Sequence, residues 1–351
     1  MVLNFGKPGS RFLEKVVFAR LGAKRPEVLV GPRFGVDNAV LRIGERRVLV
    51  VTTDPVSFIP ELGPATSAWL SVNLLASDLT TSGFVPQYGI FDFNLPPEME
   101  PRTFADYWDA FHGECRRLGI SIVAGHTGRY PGCNYTVIGG GVLCSVGDER
   151  QYLLSTMAEN DDDIILTKGA AVETTAVLTR VFPKTVRKAL GAELFGRAKR
   201  YLRKVTTVKD ALAAAAAGVH QRGVTAMHDA TEGGIIAAVL ELANASQLGV
   251  ELRLDDIPVS EETEALCKLF RIDPMTSLSE GSLIVTCGSK RTSGVLRALR
   301  RNGVPACVIG RLTGKGRGAY GISAGRRFRL KYPRADPYWK AYWKAMVKGW
   351  N

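Results

Sequence analysis

The segment Val48-Leu-Val-Val-Thr-Thr-Asp54 is an apolar, β-branched run that stops at a carboxylate. It predicts a buried strand whose end opens toward the crevice where open sheets bind ligands. Two more aspartates, Asp37 and Asp78, also lie where apolar runs stop. Because Mg²⁺ prefers oxygen ligands and keeps substrate phosphates in its shell, the three aspartates together predict a magnesium and phosphate site.

Each aspartate also has a simpler interpretation. Asp78 falls in the last turn of a helix predicted over about residues 65–82, where the macrodipole disfavours an anion by about 0.3–1 kcal/mol. A bound cation would offset that cost, whereas a solvated Asp78 would not need one. Asp37 stands beside Asn38 in a glycine-led turn that could be an Asx turn without a ligand. Asn73 shares the face of Asp78 only if the helix is interrupted, since five residues turn an ideal helix by roughly 140°.

Length and composition predict an ordinary two-domain globular protein. The chain has 351 residues and 38.1 kDa, is 46% hydrophobic, and contains no apolar run near the roughly 20 residues of a spanning helix. Met1 to Lys7 has no apolar signal core, which argues against export. The six cysteines are scattered without a Cys-x-x-Cys pair, so we expect buried, reduced thiols and a cytoplasmic location.

Most of the net charge of +12 lies at the C-terminal end. Residues 315–351 hold ten Lys or Arg and one Asp, which gives +9 and leaves +3 for the other 314 residues. Lysines 340, 344 and 348 recur every four residues among aromatic rings, which predicts an amphipathic helix. We expect its rings to dock on the body; contact with an acidic partner, a membrane surface or nucleic acid is the less favoured alternative.

Alternating strand-like and helix-like patterns predict α/β and α+β layering. A hydrophilic break over residues 148–163 places a boundary between domains 1–155 and 156–330, followed by a basic aromatic tail, 331–351. In the second domain the block Met227-His-Asp-Ala-Thr-Glu-Gly-Gly234 predicts a strand that turns into a helix.

That turn resembles an anion site, because glycines and a helix N-terminus present free N–H groups. Thr231 could cap the helix, and Gly233 and Gly234 would let a ligand approach. His228 and Asp229 beside it predict acid–base chemistry, while the plain alternative is an ordinary capped turn. Ser279-Glu280-Gly281 is a second, weaker acidic turn.

Five blocks together resemble the aminoimidazole ribonucleotide (AIR) synthase superfamily, closest to its HypE-like and AIR synthase-related members, over roughly residues 10–330. In chain order they are Gly35-Val-Asp-Asn-Ala-Val, Thr52-Thr-Asp, Ala76-Ser-Asp-Leu-Thr-Thr-Ser-Gly, Ala124-Gly-His-Thr and His228-Asp-Ala-Thr-Glu-Gly-Gly.

The resemblance implies an N-terminal PurM-like domain whose mixed sheet forms a β-barrel across a homodimer, and a C-terminal α+β domain that covers a cleft. It implies ATP and Mg²⁺ as cofactors, with Asp37, Asp54 and Asp78 at the acidic metal and phosphate positions. The expected nucleotide-binding residues are Asp37, Asn38, Thr53, Asn73, Thr127, Thr231, Gly233 and Gly234.

Departures from the family pattern weaken a full two-metal site. Many relatives have a double acid where this chain has Asp37-Asn38, and Gly-Gly-Asp-Thr becomes Ala124-Gly-His-Thr. HypE proteins end in a cysteine that carries a carbamoyl group, and this chain has no cysteine after Cys307.

We therefore expect ATP-dependent activation or phosphorylation of an unidentified small substrate, with ATP converted to ADP. The alternatives are a small-molecule kinase that resembles thiamine-monophosphate kinase and a nucleotide-binding subunit without turnover.

Overall fold

The computed structural model describes residues 8–351, so the predicted absence of an export signal in Met1–Lys7 lies outside the described residues. Two β-sheets organise the chain. The first belongs to an N-terminal unit, residues 28–148, and has the strand order β1-β2-β3-β6-β4-β5. Its strands are β1 Val28–Val30, β2 Ala39–Gly44, β3 Arg47–Ser57, β4 Tyr88–Leu95, β5 Ser121–Arg129 and β6 Val137–Asp148.

Two long helices cover one face of this sheet. After α1, Ser10–Phe12, these are α2, Gly63–Thr80, and α3, Pro101–Leu118. The strands alternate sharply: in β4, Phe91 and Phe93 are buried under the helices, while Tyr88 and Ile90 are exposed. The second face of the sheet is therefore left open in the single chain.

The C-terminal unit, residues 162–329, contains a seven-stranded sheet in the order β13-β12-β9-β11-β7-β10-β8. Its strands are β7 Asp162–Thr167, β8 Val224–Ala230, β9 Gly249–Arg253, β10 Ser282–Gly288, β11 Ala306–Thr313, β12 Ala319–Ser323 and β13 Arg326–Arg329. Its helices are α4 Val172–Val181, α5 Pro183–Lys199, α6 Val208–Ala215, α7 Gly234–Ala245, α8 Glu261–Phe270 and α9 Thr292–Arg301. Mixed sheets with packed helices confirm the predicted α/β and α+β class.

The C-terminal segment, residues 331–351, carries α10, Pro337–Val347. Its rings dock on the body, as the sequence predicts: Tyr338, Tyr342 and Trp350 pack with Phe182 and Phe270. Asp336 starts the helix by accepting a hydrogen bond from Tyr338 N at 2.8 Å. Among residues 8–351, no helix combines the length and apolarity that crossing a membrane requires.

Several boundaries differ from the sequence-based expectation. β3 continues through Asp54 to Ser57, so Asp54 lies within the strand and does not end it. The alanine-rich pattern of residues 208–222 predicts a helix over that whole range, but α6 ends at Ala215. The short strands β1, β12 and β13 have no counterpart in the prediction, because three to five residues give too short an apolar pattern to identify.

Candidate functional site at the junction of the two units

Asp37 and His228 join the two units directly. His228 Nδ1 donates to Asp37 Oδ2 at 2.8 Å, and Nε2 donates to Glu241 Oε2 of α7 at 2.9 Å. Burial alone would lower the pKa of His228, but the two carboxylates more than offset this and raise the pKa to about 10. The ring is therefore an imidazolium held between two buried carboxylates.

This geometry does not favour the predicted acid–base role of His228, which stays a prediction. The residue lies inside β8, is only 1% exposed, and has both ring nitrogens engaged by carboxylates. An acid or base must reach the proton that it transfers. His228 instead acts as an electrostatic link between Asp37 and α7.

Carboxylates from both units converge around this link. Single ligand atoms of Asp37, His228 and Asp229 lie within 4.8 Å of one another. Asp78 of α2 faces the same group: burial first, and then the charges of Asp229, Asp54 and Asp37, raise its pKa well above the ordinary value. The structure thus brings all three predicted metal residues together, along with Asp229.

Asn38 stands beside this cluster and holds the end of α2. Its amide Nδ2 donates to the Asp78 carbonyl at 2.9 Å and to Thr81 Oγ1 at 2.8 Å. A carboxylate at position 38 could not donate either bond. The amide in place of a second acid therefore has a structural reason, which is to join the turn at Asp37 to the Asp78 carbonyl and the Thr81 hydroxyl at the C-terminal end of α2.

β3 sends its side chains to opposite faces of the sheet. Thr52 Oγ1 donates to the Asp37 carbonyl at 2.9 Å and lies 3.4 Å from Asp78 Oδ2, so Thr52 and Asp54 share the face of the cluster. Thr53 points to the open face and donates to the Gly141 carbonyl at 2.9 Å. Within one chain, Thr53 is therefore separated from the aspartates.

Two other predicted nucleotide-binding residues also lie away from the cluster. Asn73 is fully buried and donates to Glu114 of α3 at 2.6 Å, so α2 is not interrupted in the way that would bring it beside Asp78. Thr127 is exposed on β5, three strands from β3, which corresponds to about 14 Å at the usual strand spacing.

The glycine-rich turn is already occupied by a carboxylate of the chain itself. The Gly233 N–H donates to Asp336 Oδ2 at 2.8 Å, while no side chain caps α7, so the predicted cap by Thr231 is wrong. Gly234 packs against backbone, since an added Cβ would lie 2.7 Å from the Met275 carbonyl oxygen. The turn does bind an anionic group, and that group is the Asp336 carboxylate.

Three further acids at this junction are not among the predicted site residues. Glu280, from the weaker acidic turn, is 5% exposed, and burial followed by the charges of Asp229 and Glu173 raises its pKa. Burial and then the charge of Asp336 raise the pKa of Glu173 to about 8. Glu241 lies in an alanine-rich helix, where nothing in the local sequence indicates that it faces a histidine.

Both units match known family models. The N-terminal domain of AIR synthase related proteins matches residues 35–146, and the C-terminal domain of the same family matches residues 159–322. The chain belongs to the AIR synthase/HypE superfamily. The sequence-based assignment to this family is thereby confirmed, whereas the barrel of two chains lies beyond what one chain shows.

Named members of the AIR synthase/HypE superfamily are similar along most of the chain. A selenide, water dikinase of Carboxydothermus hydrogenoformans is 24% identical and covers 82% of this chain and 87% of its own. A carbamoyl dehydratase HypE of Azotobacter vinelandii is 27% identical over 78% and 77% of the two chains. A solved HypE structure in complex with ATP is 19% identical, has a TM-score of 0.64, and covers 96% of this chain and 98% of its own.

Proposed function

We propose that this protein binds ATP with Mg²⁺ and uses conversion of ATP to ADP to activate a small substrate between the two units. The observation that carries the proposal is the convergence of Asp37, Asp54 and Asp78 with Asp229. Relatives named as a dikinase and a dehydratase, and a relative solved with ATP, support this assignment.

The donor set fits a hard cation. Buried carboxylates that raise one another's pKa gain stability when a divalent cation offsets their charge. Glu280 Oε1 is buried and makes no hydrogen bond within the described residues, which leaves an oxygen for an ion or its water. Asp37, Asp54 and Asp78 would hold Mg²⁺, which would neutralise phosphate charge during transfer.

The positions of two predicted nucleotide-binding residues, Thr53 and Thr127, favour a homodimer. Thr53 and the exposed Ile90 lie on the open face of the N-terminal sheet, and Thr127 lies at its edge. A second copy packed on this face would cover it and bring these residues toward a shared site. We therefore include a homodimer in the proposal.

Isothermal titration of ATP with and without Mg²⁺ tests the proposal, using wild type and Asp54→Asn. We expect Mg²⁺-dependent binding in the wild type and at least about tenfold weaker binding in the variant, since one ligand of the cation loses its charge. Asp109→Asn, at an exposed aspartate on α3, is the matched control. Wild-type protein that fails to bind ATP in either condition would contradict the proposal.

A small-molecule kinase is the second candidate, favoured by the dikinase relative. Product analysis separates the two. Phosphate recovered on an added acceptor indicates a kinase, whereas free phosphate with an altered substrate indicates activation and elimination. Intact ATP with every acceptor tried would leave a nucleotide-binding subunit without turnover.

A further inference from the structure

The C-terminal segment is connected to Asp37 through three consecutive hydrogen bonds. The Tyr332 hydroxyl donates to Glu241 Oε1, Glu241 Oε2 accepts from His228 Nε2, and His228 Nδ1 donates to Asp37 Oδ2. We call this series, Tyr332-Glu241-His228-Asp37, the relay. His228 and Glu241 are 1% and 2% exposed, so water does not substitute for their partners.

Packing around the relay holds its two ends close together. The ring of Tyr332 meets Phe34 edge-on, with centroids 5.8 Å apart, only three residues before Asp37. Gly35 has a φ of +74°, and an added Cβ would lie 2.9 Å from the Glu241 carbonyl oxygen. The loop that carries Asp37 therefore touches both Tyr332 and the backbone of α7.

The C-terminal segment is also anchored at the other end of α7. Asp336 accepts from the Gly233 N–H at 2.8 Å, and Trp339 Nε1 donates to Glu232 Oε1 at 3.3 Å. Gly233 and Glu241 are two helical turns apart, or about 12 Å. The segment thus runs along α7 and is held at one end by Tyr332 on Glu241 and at the other by Asp336 on Gly233.

We propose that Tyr332 is a positioning residue that sets the orientation of the Asp37 carboxylate through Glu241 and His228. The proposal rests on the proposed metal role of Asp37. One oxygen, Oδ2, is held by His228 Nδ1 at 2.8 Å, which restricts the orientation of the carboxylate before a ligand arrives. Tyr332 lies beyond residue 322, where the match to the family domain ends, so a segment outside that match contributes to the site.

Two readouts test the relay in the variant Tyr332→Phe. The control is Tyr342→Phe, which also removes a phenolic hydroxyl from the C-terminal segment but lies outside the relay. The first readout is the NMR spectrum of the histidine ring ¹⁵N and ¹H nuclei, recorded on histidine-labelled protein without ligand. The chain has four histidines, so few signals are expected. His228→Gln identifies the signals of His228. We expect Tyr332→Phe to shift them and Tyr342→Phe to leave them in place.

The second readout is Mg²⁺ affinity, measured by titration of the metal in the presence of ATP. We expect Tyr332→Phe to weaken Mg²⁺ binding about three- to tenfold, because outer partners of a ligand tune its affinity. In an Asp37→Asn background the same change should have no further effect.

The outcomes separate the two proposals. Wild type that binds neither Mg²⁺ nor ATP overturns the proposed function and the positioning role together. Wild type that binds both, with unchanged affinity in Tyr332→Phe, overturns the positioning role alone. Shifted His228 signals with weaker Mg²⁺ binding in Tyr332→Phe and not in Tyr342→Phe support it.

Discussion

Asp78 carries a clear electrostatic cost at the junction of the two units. Its carboxylate is buried beside the charges of Asp229, Asp54 and Asp37, and its pKa in the fold is raised above the ordinary value. A raised carboxyl pKa means that the folded state binds the proton more tightly than the unfolded state does. The contribution of Asp78 to the free energy of unfolding therefore falls as the pH rises from about 4 through the pKa of Asp78 in the folded state.

The substitution Asp78→Asn should remove this loss of stability with rising pH. In EDTA at pH 7.5 we expect the variant to have a higher free energy of unfolding than wild type, because a neutral amide avoids the repulsion among the buried carboxylates. At pH 4 the difference should shrink. Added Mg²⁺ should raise the free energy of unfolding appreciably only for wild type. Urea unfolding at the two pH values measures this, and a variant less stable in EDTA at pH 7.5 would contradict it.

Sequence alone indicated the acids of the site but not their geometry. Asp37, Asp54 and Asp78 could be identified because each interrupts or ends an apolar run. The role of His228 could not, since its partner Asp37 lies 191 residues away and Glu241 is hidden in an alanine-rich helix. Local patterns contain no information about which distant carboxylate faces a ring.

At the scale of elements, β6 and α2 place the site. The run Gly139-Gly140-Gly141 lies inside β6 and reflects packing: an added Cβ at Gly139 would lie 1.8 Å from the Asp92 carbonyl oxygen of β4, and one at Gly141 would lie 2.6 Å from Leu75 Cδ1 of α2. These glycines let β6 lie close to its neighbour and to the helix. The run lies within a strand and not in the strand–turn–helix unit of a dinucleotide fingerprint.

Gly139→Ala should therefore destabilise the protein by about 3 kcal/mol or more, because backbone must move to admit the methyl group. Gly140→Ala is the control, since its Cβ would lie 4.0 Å from the nearest atom, the Asp54 carbonyl oxygen. We expect that change to cost less than about 1 kcal/mol. Thermal unfolding of both variants tests the difference, and equal melting temperatures would contradict it.

Strand and helix types were largely predictable, whereas their ends were not. The pattern of Val48–Asp54 indicated β3, but the strand runs three residues further because Asp54 and Pro55 still pair with Gly141 and Gly140 of β6. Pairing with a partner strand decides where a strand ends, and the partner lies elsewhere in the sequence. β12 and β13 were missed for another reason, since five and four residues give too short an apolar pattern to identify.

At the scale of the whole molecule, the N-terminal sheet has an exposed apolar face. Ile90 is 41% exposed and pairs across the sheet with Val142 of β6. A second copy of the chain would cover this face.

Ile90→Lys should shift the protein from dimer to monomer, because a charge placed in an apolar interface loses its hydration. Val347→Lys, at a position 88% exposed on α10, makes the same charge change away from the sheet and should leave the dimer intact. Light scattering at several concentrations distinguishes the two. A wild-type protein that is monomeric throughout would contradict the proposed dimer.

The bond between His228 and Asp37 also has a consequence for folding. Its partners are 191 residues apart, so it closes a very long loop and forms only after β8 and the loop at Asp37 have both reached their final places. The N-terminal unit can build its sheet and helices earlier, with Asp37 still in water. We therefore expect the acidic cluster to assemble among the last events of folding, because it needs both halves of the chain in place.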